Sequence, residues 1–163
     1  MAPIYDFKIN VPQDKLDALS KKLELTTFPD ELEHAGWDLG APLSDIKRLI
    51  NHWRTGYDWR QHERTLNELP QYTTSIDVID FGSLEIHYVH QKSSVNNAIP
   101  LLFCHGWPGS FIEVAKILPE LVKGGQGAAF DVVAPSLPNF GWSEGVKKVC
   151  ASPGHIPCVP RQY

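Results

Sequence analysis

The sequence predicts an α/β fold, in which a helical N-terminal region is followed by a mixed sheet. Three observations carry this. Apolar residues recur at helical spacing as far as Pro70, and the period then falls to two. Two short apolar runs near residues 101 and 130 then flank one amphipathic stretch, as a strand–helix–strand unit with parallel pairing and a right-handed crossover requires.

Each element has its own signal. Asp14 can cap a helix running to about Leu25, with Leu16, Leu19 and Leu23 on one face. The stretch 29–40 carries a proline, two glycines and mixed charge, and reads as loop. Ser44 can cap a second helix that presents Ile46, Leu49, Ile50 and Trp53, with Gly56 as its stop. Asp58 opens a third helix containing Trp59, Glu63, Leu66 and Leu69, and Pro70 closes it. Thr73 to Ile79 is β-branched, and Phe81-Gly82-Ser83 is a turn. Leu84, Ile86 and Tyr88 then alternate with Glu85, His87 and Val89, which predicts a strand with two unlike faces. Leu101 to Cys104 is continuously apolar and predicts a strand buried on both sides, with Cys104 as a small core residue. Ser110 starts a helix with Phe111, Val114, Ile117, Leu118 and Leu121 inward; a glycine loop and the strand Phe130–Ala134 follow.

Bulk properties exclude several function classes. The 163 residues suggest one domain or part of a larger one, and composition is ordinary, with 42% hydrophobic and 21% charged residues. Net charge is −4, and the Lys147-Lys148 pair is too short to form a nucleic-acid footprint. No apolar run near the strands is long enough to span a bilayer, and the N-terminus has no signal-peptide design. Three cysteines are too few for a disulfide framework, which suits a reducing, cytoplasmic location.

The stretch LLFCHGWPGS, residues 101–110, concentrates the functional signal. An apolar strand ends on His105 and breaks into Gly106-Trp107-Pro108-Gly109. In open parallel sheets, ligands sit beyond the carboxyl ends of the strands. Glycines let the chain turn sharply there, so that a peptide N–H points into a cleft and can stabilise oxyanion charge. The plainer alternative is a tight turn with a packed tryptophan.

The stretch 57–90, HGWPGS at 105–110 and FDVVAPSLPNFGWSEG at 130–145 occur in this order. Together they resemble the epoxide hydrolases of the α/β-hydrolase fold, in the microsomal and fungal branch with an N-terminal helical extension. The resemblance implies an epoxide hydrolase N-terminal helical region at 1–72 and a partial α/β-hydrolase core at 73–145. Residues 146–163, without period and rich in proline, read as an irregular, divergent tail. It also implies a chemistry: an aspartate attacks an epoxide carbon to form an ester, and a histidine oriented by an acid activates water to hydrolyse it. Two tyrosines of a cap domain polarise the epoxide oxygen. The substrate is a small apolar epoxide, the product is a vicinal diol, and neither metal nor organic cofactor takes part. Carried over by residue, Trp107 supplies a backbone N–H to the oxyanion hole, and His105, Gly106, Pro108 and Gly109 shape the turn. Phe140 and Trp142 line the pocket entrance, and the Trp107–Pro108 peptide is expected to be cis.

The nucleophile is harder to place. Gly141-Trp142-Ser143-Glu144-Gly145 fits the serine-elbow pattern, but the prolines at 135 and 138 bar the strand an elbow needs before it. No aspartate follows Asp131, which itself reads as a turn residue. The resemblance therefore implies a chain truncated before its nucleophile, cap and catalytic histidine, and inactive alone. Alternatives are an esterase or haloalkane dehalogenase of the same fold, or a non-catalytic fragment that pairs with a homologue. The Leu101–Cys104 strand would then be an open edge prone to self-association. His87 and His90 point to opposite faces of one strand and cannot share a metal. Cys150, His155 and Cys158 lack a fourth ligand for zinc.

Overall fold

A computed structural model of the chain describes residues 2–125 and 127–148. It divides into two compact units, one of residues 9–66 and the other of the residues before 9 and from 67 onward.

The first unit holds α1 (Gln13–Glu24), α2 (Leu43–Thr55) and α3 (Trp59–Leu66). Prolines, not the expected Asp14 and Ser44, stand at the caps of α1 and α2. Proline suits a helix start because its fixed φ matches and its missing N–H is one that would go unpaired there. Asp58 does cap α3: its carboxylate accepts from the Gln61 N–H at 3.2 Å. Gly56 ends α2, donating its N–H to the His52 carbonyl at 2.8 Å. Leu16, Leu19, Leu23, Leu49 and Trp53 meet as their spacing predicts, but they line an open groove of about 740 Å³, not a closed core.

That unit is tied together by Glu63, a buried carboxylate. Its Oε1 accepts from the Val11 N–H at 2.7 Å and the Trp59 indole N–H at 3.2 Å, while Oε2 takes Arg60 at 2.6 Å. The Val11 bond first, then Arg60 and Trp59, hold the Glu63 carboxyl below the ordinary carboxylate range against the cost of burial.

The second unit is a five-stranded sheet of β1 (Ile4–Asp6), β2 (Gln71–Val78), β3 (Gly82–Gln91), β4 (Ile99–Leu102) and β5 (Phe130–Pro135). Their spatial order is β1-β2-β3-β5-β4. Pairing is antiparallel as far as β3–β5, with Tyr88 opposite Pro135, and parallel between β4 and β5, with Leu101 opposite Val132. A 3₁₀ turn, Phe111–Val114, and α4 (Leu118–Lys123) make the crossover between β4 and β5.

The strand β1 has no counterpart in the sequence reading. Two further expectations are corrected. The stretch after Ser110 is a 3₁₀ turn followed by a short helix, with Phe111, Val114 and Leu118 buried but Ile117 exposed. Pro119 explains the break, because proline is accommodated only in a helix's first turn. The strand at 101 is not buried on both sides either. Among the described residues β4 is the sheet edge, Leu102 is 65% exposed and Cys104 is exposed.

The core gathers on β3 and β5. Leu84, Ile86 and Tyr88 are buried on one face of β3, and His87 and Val89 on the other. Alternation marks this strand correctly, but both faces close over from Ile86 onward.

Candidate functional site

The last ladder bond beyond β4 runs from the Phe103 N–H to the Val133 carbonyl, at 2.8 Å. The chain then enters the Gly-Trp-Pro-Gly turn at the carboxyl end of the strand, and the Trp107–Pro108 peptide is cis. On the far side, Ser110 and Glu113 form a capping box: the serine side chain accepts from the Ile112 N–H, and the Glu113 carboxylate accepts from the Ser110 N–H at 3.2 Å. Glu113 thereby folds over Gly109. A Cβ at Gly109 would overlap that carboxylate and lie 2.9 Å from the Gly106 carbonyl oxygen, so only glycine fits.

His105 fixes the orientation of the turn. Its ring is 4% exposed, and its Nε2 accepts from the Leu137 N–H at 3.1 Å. Because a backbone N–H can only donate, the ring proton must sit on Nδ1. Nδ1 lies 3.0 Å from the Gly106 carbonyl and donates to it. The C=O and N–H of a trans peptide point in opposite directions. With the Gly106 carbonyl drawn toward His105, the Trp107 N–H faces the other way. No group among the described residues accepts from it, and Trp107 is 79% exposed. The turn thus displays a free, rigidly oriented amide donor.

The loop after β5 packs against this turn. Phe140 meets the His105 ring edge-on, with centroids 5.0 Å apart. Trp142 packs instead into a cluster with Phe7, His87 and Phe111, at 6.2, 5.8 and 5.6 Å. Ser143 is fully engaged: its hydroxyl donates to the Ser136 carbonyl at 2.6 Å and accepts from the His87 N–H at 2.9 Å. It closes the neck of a loop whose Glu144 N–H donates to the Glu85 carbonyl at 2.7 Å. That is the geometry of a clasp, not of a nucleophile's elbow.

A second serine–histidine pair lies deeper, and no sequence spacing could have revealed it. His87 Nδ1 is 2.9 Å from Ser136 Oγ, and Nε2 is 3.0 Å from Gln71 Oε1. This serine–histidine–amide chain imitates a catalytic triad, but His87 and Ser136 are both wholly buried and no substrate reaches them. Burial pushes the His87 imidazole down to about 4, so the ring is neutral.

Asp131 is a structural residue too: its carboxylate accepts from the Ser93 N–H at 2.7 Å. No cluster of three metal-ligating side chains exists among the described residues, and Cys150, His155 and Cys158 lie outside them. No helix among the described residues is long and apolar enough to cross a membrane.

Comparison with known proteins places the chain. Residues 4–114 match the family model described as the epoxide hydrolase N terminus. A relative from Stigmatella aurantiaca is 44% identical over 146 residues, which cover 86% of this chain and 32% of the relative. Juvenile hormone epoxide hydrolase 1 of Ctenocephalides felis is 37% identical over 150 residues, covering 89% of this chain and 31% of its own. Among solved structures, Aspergillus niger epoxide hydrolase superimposes with a TM-score of 0.77 at 29% identity, over 90% of this chain and 39% of that one. The juvenile hormone epoxide hydrolase of Bombyx mori gives 0.78 at 26%, over 91% and 40%. The chain spans about a third of the length of the curated relatives it matches.

Proposed function

The chain belongs to the epoxide hydrolase family, and from that premise we propose that its residues supply the oxyanion-binding turn for hydrolysis of epoxides to vicinal diols. In the two-step route, a carboxylate opens the epoxide and becomes an ester, and water then attacks the ester carbonyl. Negative charge builds on that carbonyl oxygen in the second step, where a preoriented amide donor counts most. The observation that carries this reading is the Trp107 N–H, turned outward by the His105–Gly106 bond. Removing one such donor slows the step by about 10²–10³-fold.

Phe140 and Trp142 belong to the loop that borders the entrance, and the substrate is a small apolar epoxide. Asp131 is not the attacking carboxylate in this reading, because it accepts from the Ser93 N–H and holds the loop before β4. The chain's reading as a cytoplasmic protein rests on the sparse cysteines.

The test is a chimera. Residues 1–146 replace the matching segment of the Ctenocephalides felis enzyme, and turnover is measured on an apolar epoxide, an ester and a haloalkane. Diol formation from the epoxide alone, with ester intermediate accumulating in a Trp107→Pro variant, is the expected result. Equal activity with and without that substitution would refute the role of the turn.

A further inference from the structure

Two histidines meet across one peptide bond. Ser136 Oγ is held by His87 Nδ1, and the N–H of the next residue, Leu137, is held by His105 Nε2. Followed through, the contacts form two hydrogen-bonded groups joined by the Ser136–Leu137 backbone. The first starts at Gln71 Oε1, which accepts from His87 Nε2–H at 3.0 Å. With that proton on Nε2, Nδ1 is an acceptor and takes the Ser136 hydroxyl proton. The second runs from the Leu137 N–H to His105, and the Nδ1–H of His105 ends it on the Gly106 carbonyl. Every link has a defined direction, and both rings are held in a single tautomer.

The junction of the two groups is pinned from several sides. The Ser136 N–H donates to the His87 carbonyl at 2.8 Å. Gly141, at φ +52°, lies so close that a Cβ there would be 2.5 Å from Ser136 Oγ. Phe7 and Phe111 meet the His87 ring edge-on, each with centroids 4.9 Å away. Ser136 thus has little room to move unless His87 moves.

We propose that His87 is a positioning residue for the oxyanion turn, acting through Ser136 and Leu137 on His105 and so on the Trp107 N–H. The proposal rests on the functional reading of that turn, and it extends the site about one sheet layer inward. It also makes the turn sensitive to a proton placed far from it. The groups that face the His87 ring are Gln71, Ser136, Phe7, Phe111 and Trp142, and all are uncharged. A protonated His87 would have no counter-ion and could no longer accept from Ser136. The Ser136 hydroxyl proton would have to find another acceptor, and in this proposal the disturbance passes along the Ser136–Leu137 backbone to the Leu137 N–H.

The experiment is nitrogen-15 NMR of the 163-residue chain, reading the ring nitrogens of both histidines and the Trp107 amide. In the wild type, His87 should show the Nε2–H tautomer and His105 the Nδ1–H tautomer. In Ser136→Ala, the His105 signals should move toward a tautomer mixture and the Trp107 amide should shift, while Tyr72 and Val89 amides stay protected. Unmoved His105 and Trp107 signals would overturn the proposal, and so would loss of protection throughout the sheet, which marks a plain core residue. Acid titration of the unaltered chain supplies a second measurement. The Trp107 amide should respond with the midpoint of His87; an amide that stays unmoved across that midpoint refutes the link.

In the chimera, Ser136→Ala should slow ester hydrolysis several-fold with little change in KM. An active chimera indifferent to Ser136→Ala removes the proposal and leaves the function standing. An inactive chimera whose NMR couplings persist removes the functional reading, and the positioning role with it, and leaves only a structural link between the two histidines.

Discussion

The backbone N–H of Val11 donates to Glu63 Oε1 at 2.7 Å, across fifty-two residues of sequence. One carboxylate therefore fixes where the chain enters the helical unit and how α3 packs there. Because the Glu63 carboxyl is held below its ordinary range, its stabilising effect is full at neutral pH. It is lost as pH falls from the unfolded value, about 4.5, through the lower folded one. Glu63→Gln keeps the shape but removes the charge, and should cost about 2 kcal/mol. Denaturant melts at pH 7 and pH 3.5 should show the gap between variant and wild type narrowing in acid.

His87 supplies a pH dependence of the opposite origin. Its folded value, about 4, lies below the ordinary 6.5, so the unfolded chain binds a proton that the folded chain refuses. Stability contributed by the neutral ring is full above pH 6.5 and falls as pH drops toward 4. Across that interval the slope should approach one proton, about 1.4 kcal/mol per pH unit. Urea titrations at half-unit steps measure it, and a His87→Gln chain that folds should lack this component.

Ser143 sits in the serine-elbow pattern yet spends its hydroxyl on the Ser136 carbonyl and the His87 N–H. A fluorophosphonate probe should leave Ser143 unlabelled. Ser143→Ala should instead loosen the clasp, costing about 1–2 kcal/mol and speeding hydrogen exchange at Glu144. Labelling of Ser143 by the probe would restore it as a nucleophile.

How much of this was legible in the sequence depends on the range of the interaction. The strand β3 declares itself through local alternation, and the Gly-Trp-Pro-Gly break through residue types that have few other uses. The cis peptide at Trp107–Pro108 came from the family resemblance and is present. The strand β1 is three exposed residues long, too short for any period, and exists because Tyr5 finds Thr73 across the sheet. The His87 partners lie 16 and 49 residues away, beyond any spacing rule. Cys104 misled because an apolar run looks the same on an edge strand as on a central one.

Gly141 tests the packing beneath the entrance loop. Its φ of +52° and its closeness to Ser136 both exclude a side chain. Gly141→Ala should destabilise the chain by about 1–3 kcal/mol and disturb Trp142, which packs on the same cluster. Near-ultraviolet circular dichroism at the tryptophan band, read beside a thermal melt, would register both effects.

The β4 edge gives the last prediction. On its outer side, among the described residues, no strand pairs with Ile99–Leu102. The strand is short but apolar and largely exposed, and Trp107 stands exposed just beyond it. Unpaired backbone groups beside apolar side chains are a template for pairing with another copy. A polypeptide of these 163 residues should therefore self-associate as its concentration rises. Leu102→Lys places a charge on the exposed edge without touching the buried face, and Val133 opposite it remains packed. Sedimentation velocity should show the substitution shifting material from assemblies to monomer, with an unchanged thermal midpoint at low concentration. A wild-type chain that sediments as a monomer at high concentration would mean that this edge is protected, and self-association would be withdrawn.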